Sequence, residues 1–137
     1  MAIRWTEDLA VGILEIDNQH KELFQRINVL LEACNQGKGR AEISSTIAFL
    51  EDYVHTHFST EERKQMQTQY PGCAAHMAQH VLFRKNLSAI KRQFEEEGPG
   101  IHVIILTNHM VIDWLRNHIR TLDKDFGAYM QSRVRPY

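Results

Sequence analysis

The sequence predicts an all-α protein: an antiparallel, up-down-up-down four-helix bundle with an N-terminal arm and a short C-terminal tail. Three observations predict it. Apolar residues recur at helical spacing in four long stretches. Short breaks separate them: Gln36-Gly37-Lys38-Gly39, Tyr70-Pro71-Gly72 and Glu97-Gly98-Pro99-Gly100. Residues 1–16 read as an arm and not as a strand. Loops this short join antiparallel neighbours.

Residues 1–16 hold Trp5, Val11, Gly12, Ile13 and Ile16 among polar residues, and read as an arm lying over the bundle. The first helix is expected to start near Asp17, a plausible N-cap. Leu23, Phe24, Ile27, Leu30 and Leu31 form its apolar stripe, and His20 sits on that stripe. The second helix is expected from about Ala41 to Gln67. Ile43, Leu50, Tyr53 and Val54 form its inner line, which His57 and Glu61 continue. His55 points the other way. The third runs from about Cys73 to Glu97, with His76, His80, Phe83, Leu87, Ile90 and Phe94 on one face. The fourth covers about His102 to Leu122, with Val111, Trp114, Leu115, His118, Ile119 and Leu122 together. His102 and His109 fall on its solvent side. Phe126, Tyr129 and Met130 suggest a short helical piece closing one end.

Composition narrows the function. The 137 residues fit one domain, spanning 1–137, and 43% hydrophobic with 24% charged residues is ordinary for a globular chain. Sixteen basic against seventeen acidic residues, net −1, provide no basic patch for nucleic acid and no polybasic membrane anchor. No apolar run reaches the length of a membrane span, and the start has no signal-peptide form. Two cysteines, Cys34 and Cys73, make no disulfide framework. A cytoplasmic monomer is the expectation.

The eight histidines carry the chemistry. Any single histidine is more often a solvated surface residue than a ligand. His57 and Glu61, however, are four apart, as are His76 and His80, so each pair lies about 40° apart round a helix and can reach one point. In an antiparallel bundle the end of the second helix and the start of the third are neighbours. The start of the first and the end of the fourth lie at that same end. His20, His57, Glu61, His76, His80, His118 and Asp123 therefore meet at one level, as ligands for a pair of metal ions. The five-residue step from His118 to Asp123 turns about 140° and needs a π-bulge or a fraying helix end. Asp125 is the alternative, with poorer spacing.

Mixed imidazole and carboxylate ligation suits iron, manganese, cobalt or zinc. A structural zinc site uses four ligands and would leave several of these side chains idle. No glutamate is followed by histidine three residues later, so the carboxylate-rich ferritin-like pattern is absent, and so is His-Glu-x-x-His. Give each imidazole one bond, each bridging carboxylate two, and add an oxo or hydroxo bridge. One position then stays open on two octahedral metals, enough for a diatomic molecule. So few carboxylates leave a diferrous core with residual positive charge, which favours ferrous iron and reversible oxygen binding over oxidation of a substrate.

These motifs resemble the hemerythrins, and among them the short bacterial hemerythrins. The resemblance runs through Trp5, Val11-Gly12-Ile13, Ile16-Asp17-x-Gln19-His20 and His57-Phe58-x-x-Glu61-Glu62. It continues through Met66, Tyr70-Pro71, His76-x-x-x-His80 and Trp114-Leu115-x-x-His118-Ile119 with Asp123. It implies a non-haem di-iron centre that binds dioxygen reversibly, for storage, delivery or sensing, and not an enzyme. By resemblance His76, His80 and His118 hold one iron, His20 and His57 the other, and Glu61 and Asp123 bridge. The open position falls on the iron with two histidines. Leu23, Phe58, Trp114, Leu115 and Ile119 match the family's oxygen-pocket positions, although plain core packing explains Phe58 and Trp114 equally well. The rival functions are a nitric oxide or peroxide reductase on the same centre, and iron storage.

Overall fold

A computed structural model describes residues 3–98 and 100–134. Met1, Ala2, Pro99 and residues 135–137, on which parts of the arm, loop and tail expectations fall, lie outside the described residues. Among the described residues there is no strand. Helix α1 spans Leu14–Asn35, α2 Arg40–Gln67 and α3 Cys73–Glu97. The fourth rod is compound. It begins as α4 (Ile101–Thr107) and passes through a π-helical stretch, Asn108–Asp113, into α5 (Trp114–His118). A second π-helical stretch, Ile119–Asp123, leads into α6 (Lys124–Val134). Thr107, Asp113, His118 and Lys124 all keep right-handed helical dihedrals, so the rod changes winding without a break.

Each rod buries one stripe. Leu23, Phe24, Ile27 and Leu30 of α1 meet Ile43, Ile47, Leu50 and Val54 of α2. Phe83, Leu87, Ile90 and Phe94 of α3 meet Val103, Val111, Leu115 and Ile119 of the fourth rod. These side chains are almost wholly removed from water. Burying each contributes roughly 1.5–3 kcal/mol of transfer free energy. One end of the same interior is polar, and that is the end with the histidines.

The arm lies over the bundle, as its sequence suggests. Ile3, Leu9 and Val11 are buried. The Ile3 N–H donates to Asn28 Oδ1, and Asn28 Nδ2 donates back to Ile3 O, both at 2.8 Å. Asp17 does not cap α1; the helix starts at Leu14, a turn earlier. Its carboxylate turns back instead to accept from the Val11 N–H at 2.9 Å and the Gly12 N–H at 3.4 Å, tying the arm to the first turn. The arm then crosses α6 so closely that a Cβ on Gly127 would lie 1.9 Å from the Val11 carbonyl oxygen.

The C-termini of α1 and α2 use one device. After α1, Lys38 N–H bonds Ala33 O at 3.0 Å and Gly37 N–H bonds Cys34 O at 3.2 Å, with Gly37 at φ +67°. After α2, Tyr70 N–H bonds Gln65 O at 2.9 Å and Gln69 N–H bonds Met66 O at 3.3 Å. Both are Schellman closures, which need a left-handed residue just past the helix. Gly37 adopts it freely; Gln69 adopts it at φ 54° despite its side chain. The Tyr129 hydroxyl of α6 donates to Thr68 O at 2.6 Å, securing this turn from the opposite rod.

Candidate metal centre

All four rods deliver side chains to the polar end. Early in α1, His20 sits one turn before Leu23 and Phe24, on the same buried stripe. Late in α2, His57, Glu61 and Gln65 follow each other at single-turn steps. His76 and His80 open α3. His118 closes α5, and the π-helical stretch that follows carries Asp123 back to the inner face. A five-residue step suits a helix whose hydrogen bonds run i to i+5, so the awkward spacing is absorbed by winding and not by fraying. Asp123 is buried, whereas Asp125 is exposed, which removes the alternative. His55 and His109 are exposed and His102 is half-buried, all outside the cluster.

The structure brings together all seven side chains singled out from the sequence. They form two groups, His76, His80, His118 and Asp123, and His20, His57, Glu61 and Asp123, each with ligand atoms within 4.8 Å of one another. Both carboxylates divide their oxygens between the groups. Glu61 Oε1 lies 2.6 Å from His57 Nε2 and 4.0 Å from His20 Nε2, while its Oε2 lies 3.5 Å from His76 Nε2. Asp123 Oδ2 lies 3.1 Å from His20 Nε2, while its Oδ1 lies 2.8 Å from His76 Nε2 and 3.1 Å from His118 Nε2. The Nε2 atoms of His76 and His118 face each other at 3.0 Å.

Such an interior is unsatisfied on its own terms. Both Glu61 oxygens, both Asp123 oxygens and Nε2 of His20, His57 and His80 are buried without a hydrogen-bond partner. Buried polar atoms are rarely left this way, and a cation coordinated by them is the missing partner. Electrostatics agrees. Burial, and then His20, hold His57 well below the usual imidazole range. Burial, and then His76 and His118, bring His80 down to about 2. Both rings are therefore neutral with a lone pair free, the form that ligates metal. Burial and the neighbouring Asp123 push Glu61 well up. Burial pushes Asp123 up too, but the His118, His20 and His76 rings that face its oxygens hold it well below the carboxylate range.

Sequence reading did not assign the groups behind the ligands. His57 Nδ1–H donates to Gln19 Oε1 at 2.8 Å, and Gln19 Nε2 donates on to Thr60 Oγ1 at 3.2 Å. His80 Nδ1–H donates to Glu62 Oε2 at 2.8 Å. Gln65 meets His76 Nδ1 at 2.7 Å through its amide nitrogen, while its Oε1 is buried without a partner. Turning that amide over satisfies Oε1 and places the His76 proton on Nδ1. In each case the proton on Nδ1 leaves Nε2 free toward the cluster. The signal was present: Gln65 is one turn beyond Glu61, and Gln19 and Glu62 flank ligand positions.

The five apolar residues matched to pocket positions all belong to the core or pack against it. Leu23, Phe58, Leu115 and Ile119 are wholly buried and Trp114 is half-buried. Phe58 stacks on the His80 ring at 3.7 Å, 4° from parallel, and Trp114 on the His118 ring at 4.6 Å. Cys34 and Cys73 are both free thiols.

A four-helix bundle that gathers imidazoles and carboxylates from every rod at one end defines a metal-centre protein of the histidine-rich class. Residues 11–129 match the family model described as the hemerythrin HHE cation binding domain. The bacteriohemerythrin of Stenotrophomonas maltophilia is 31% identical over 133 residues, covering 97% of this chain and 84% of that protein. That of Methylococcus capsulatus is 33% identical over 129 residues, covering 93% and 96%. A crystal structure of wild-type hemerythrin superposes with a TM-score of 0.82 at 29% identity, covering 93% of this chain and 97% of that one. The chain belongs to the hemerythrin family. Membership and the paired ligand groups together make it an oxygen-binding protein of the di-iron kind.

Proposed function

We propose that His76, His80 and His118 hold one iron ion, that His20 and His57 hold a second, and that Glu61 and Asp123 bridge the two beside an oxo or hydroxo group. The observation that carries this reading is the division of each carboxylate's oxygens between the two histidine groups. A carboxylate serving one ion would direct both oxygens to one side. Such a pair of ferrous ions supplies two electrons, reversibly, to dioxygen.

The chain's own residues supply the remainder. Gln19, Gln65 and Glu62 hold ligand imidazoles in one tautomer and orientation. Leu23, Leu115 and Ile119, with the stacked Phe58 and Trp114, wall the site with hydrocarbon and exclude water and anions. A hydrocarbon surround of this kind supports a carrier, store or sensor over a reductase, which needs a route for protons. No helix among the described residues is long and apolar enough to cross a membrane. We read the chain as a cytoplasmic monomer, a state that sedimentation would check.

Anaerobic reconstitution with ferrous iron, followed by oxygen, tests the reading. Two irons per chain, a visible charge-transfer band on oxygenation and its loss under vacuum are expected. One iron or none, or a band that vacuum does not remove, overturns it. Sustained turnover of nitric oxide with a reductant would move the protein to the reductases.

A further inference from the structure

The two histidine groups differ in what stands behind them. On the side of His20 and His57 the supporting partner is a neutral amide, Gln19, and His20 Nδ1 is buried without a partner. On the other side His76 also has an amide, Gln65, but His80 donates to a carboxylate, Glu62, at 2.8 Å. Among the described residues, Glu62 is the one acid outside the candidate ligand set that touches a ring of that set. Its side chain is 20% exposed, so it keeps some contact with water.

Arg84 completes the arrangement. Its Nη2 lies 4.0 Å from the same Glu62 oxygen that accepts from His80. Its guanidinium also sits over the Phe58 ring, 5.3 Å from the centroid, and that ring stacks on His80. The His80 ring is thus held by the carboxylate at its edge and by Phe58 on its face, and Arg84 bears on both.

A carboxylate behind an imidazole makes the ring a stronger electron donor, and the effect favours the more highly charged state of a metal on its far nitrogen. A cation beside the carboxylate opposes this. We propose that Glu62 and Arg84 are a positioning pair with opposed effects. Glu62 makes the position served by His76, His80 and His118 the more readily oxidised of the two, and Arg84 limits how far.

The proposal rests on the di-iron reading above, and the experiment separates the two. Glu62→Gln keeps the hydrogen bond to His80 and removes the charge. Arg84→Met keeps the cover over Phe58 and removes the cation. Unaltered and variant chains are reconstituted anaerobically with ferrous iron, and iron per chain and the first one-electron potential are measured. Expected for Glu62→Gln is a tenfold to hundredfold weaker hold on the oxidised ion, about 59 to 118 mV upward. Arg84→Met is expected to shift the potential downward, by less. Iron content stays at that of the unaltered chain, and the metal-free variants melt where the unaltered chain does.

Opposite signs distinguish a charge effect from loosened packing, which moves both variants the same way. Shifts of one sign, or shifts under twofold in the hold on the oxidised ion, overturn the pair's role while leaving the di-iron reading standing. If Glu62→Gln loses iron, the downward shift in Arg84→Met still decides. Failure of the unaltered chain to take up two irons overturns both.

Discussion

Leu115 has no exposed surface and sits one turn before His118 on the same helix. Shortening it to alanine removes hydrocarbon from the wall and leaves room for water. Leu115→Ala should speed autoxidation of the oxygenated protein, read by stopped-flow absorbance, and lower stability by roughly 2–5 kcal/mol as buried leucine truncations do. An unchanged autoxidation rate would remove Leu115 from the barrier. Individual residues were also the scale at which sequence told most. The convergence of His20, His57, Glu61, His76, His80, His118 and Asp123 was legible from two four-residue pairs together with the antiparallel order of the rods. The supporting Gln19, Glu62, Gln65 and Arg84 were not. A glutamine or glutamate beside a ligand looks like any solvated neighbour until the distance to a ring nitrogen is known.

Elements were legible to different degrees. Glycine and proline punctuation placed α3 from Cys73 to Glu97, as found. The start of α1 was misplaced because Asp17 has the chemistry of an N-cap but uses its carboxylate on the arm instead. In the fourth rod, the step from His118 to Asp123 called for a π-bulge or a fraying end, and a π-helical stretch is what stands there. The other, Asn108–Asp113, lies away from the ligands and had no such marker. The closure after α2 yields a sharper expectation. Gln69 is held at φ 54°, where a Cβ costs about 1 kcal/mol relative to glycine. Gln69→Gly should therefore raise stability by about that amount, seen as a higher urea midpoint with an unchanged slope. Gly127→Ala should do the reverse. Its methyl group meets the Val11 carbonyl, so the arm must lift, at a cost of about 1–3 kcal/mol in the melting curve.

For the whole molecule, the metal-free protein should be acid-sensitive in a stated window. His80 is held down to about 2 and His57 well below 6.5, whereas in the unfolded chain both take up protons near 6.5. Below that pH the unfolded state binds more protons, so the contribution of these rings is complete above about 6.5 and is lost as pH falls. Asp123, also held low, loses its contribution further down, below its ordinary 3.8. Glu61, held high, acts in the opposite sense, and its contribution fades as pH rises through its elevated value. Melting temperatures of the metal-free chain between pH 7.5 and about 4 would register the histidine loss. Iron should raise the melting temperature throughout, because it binds only the folded site.

The candidate ligands begin at His20 and end at Asp123, and no single helix contains a complete set for either group. A ribosome that has released α1 and α2 has exposed only His20, His57 and Glu61. Iron then has no two-ion cradle to enter, and the growing polypeptide must organise itself by hydrocarbon contacts alone. Only when the second π-helical stretch emerges with Asp123 is the set for either group complete. The connectivity thus leaves a two-ion cradle to be completed by the last part of the bundle to be synthesised.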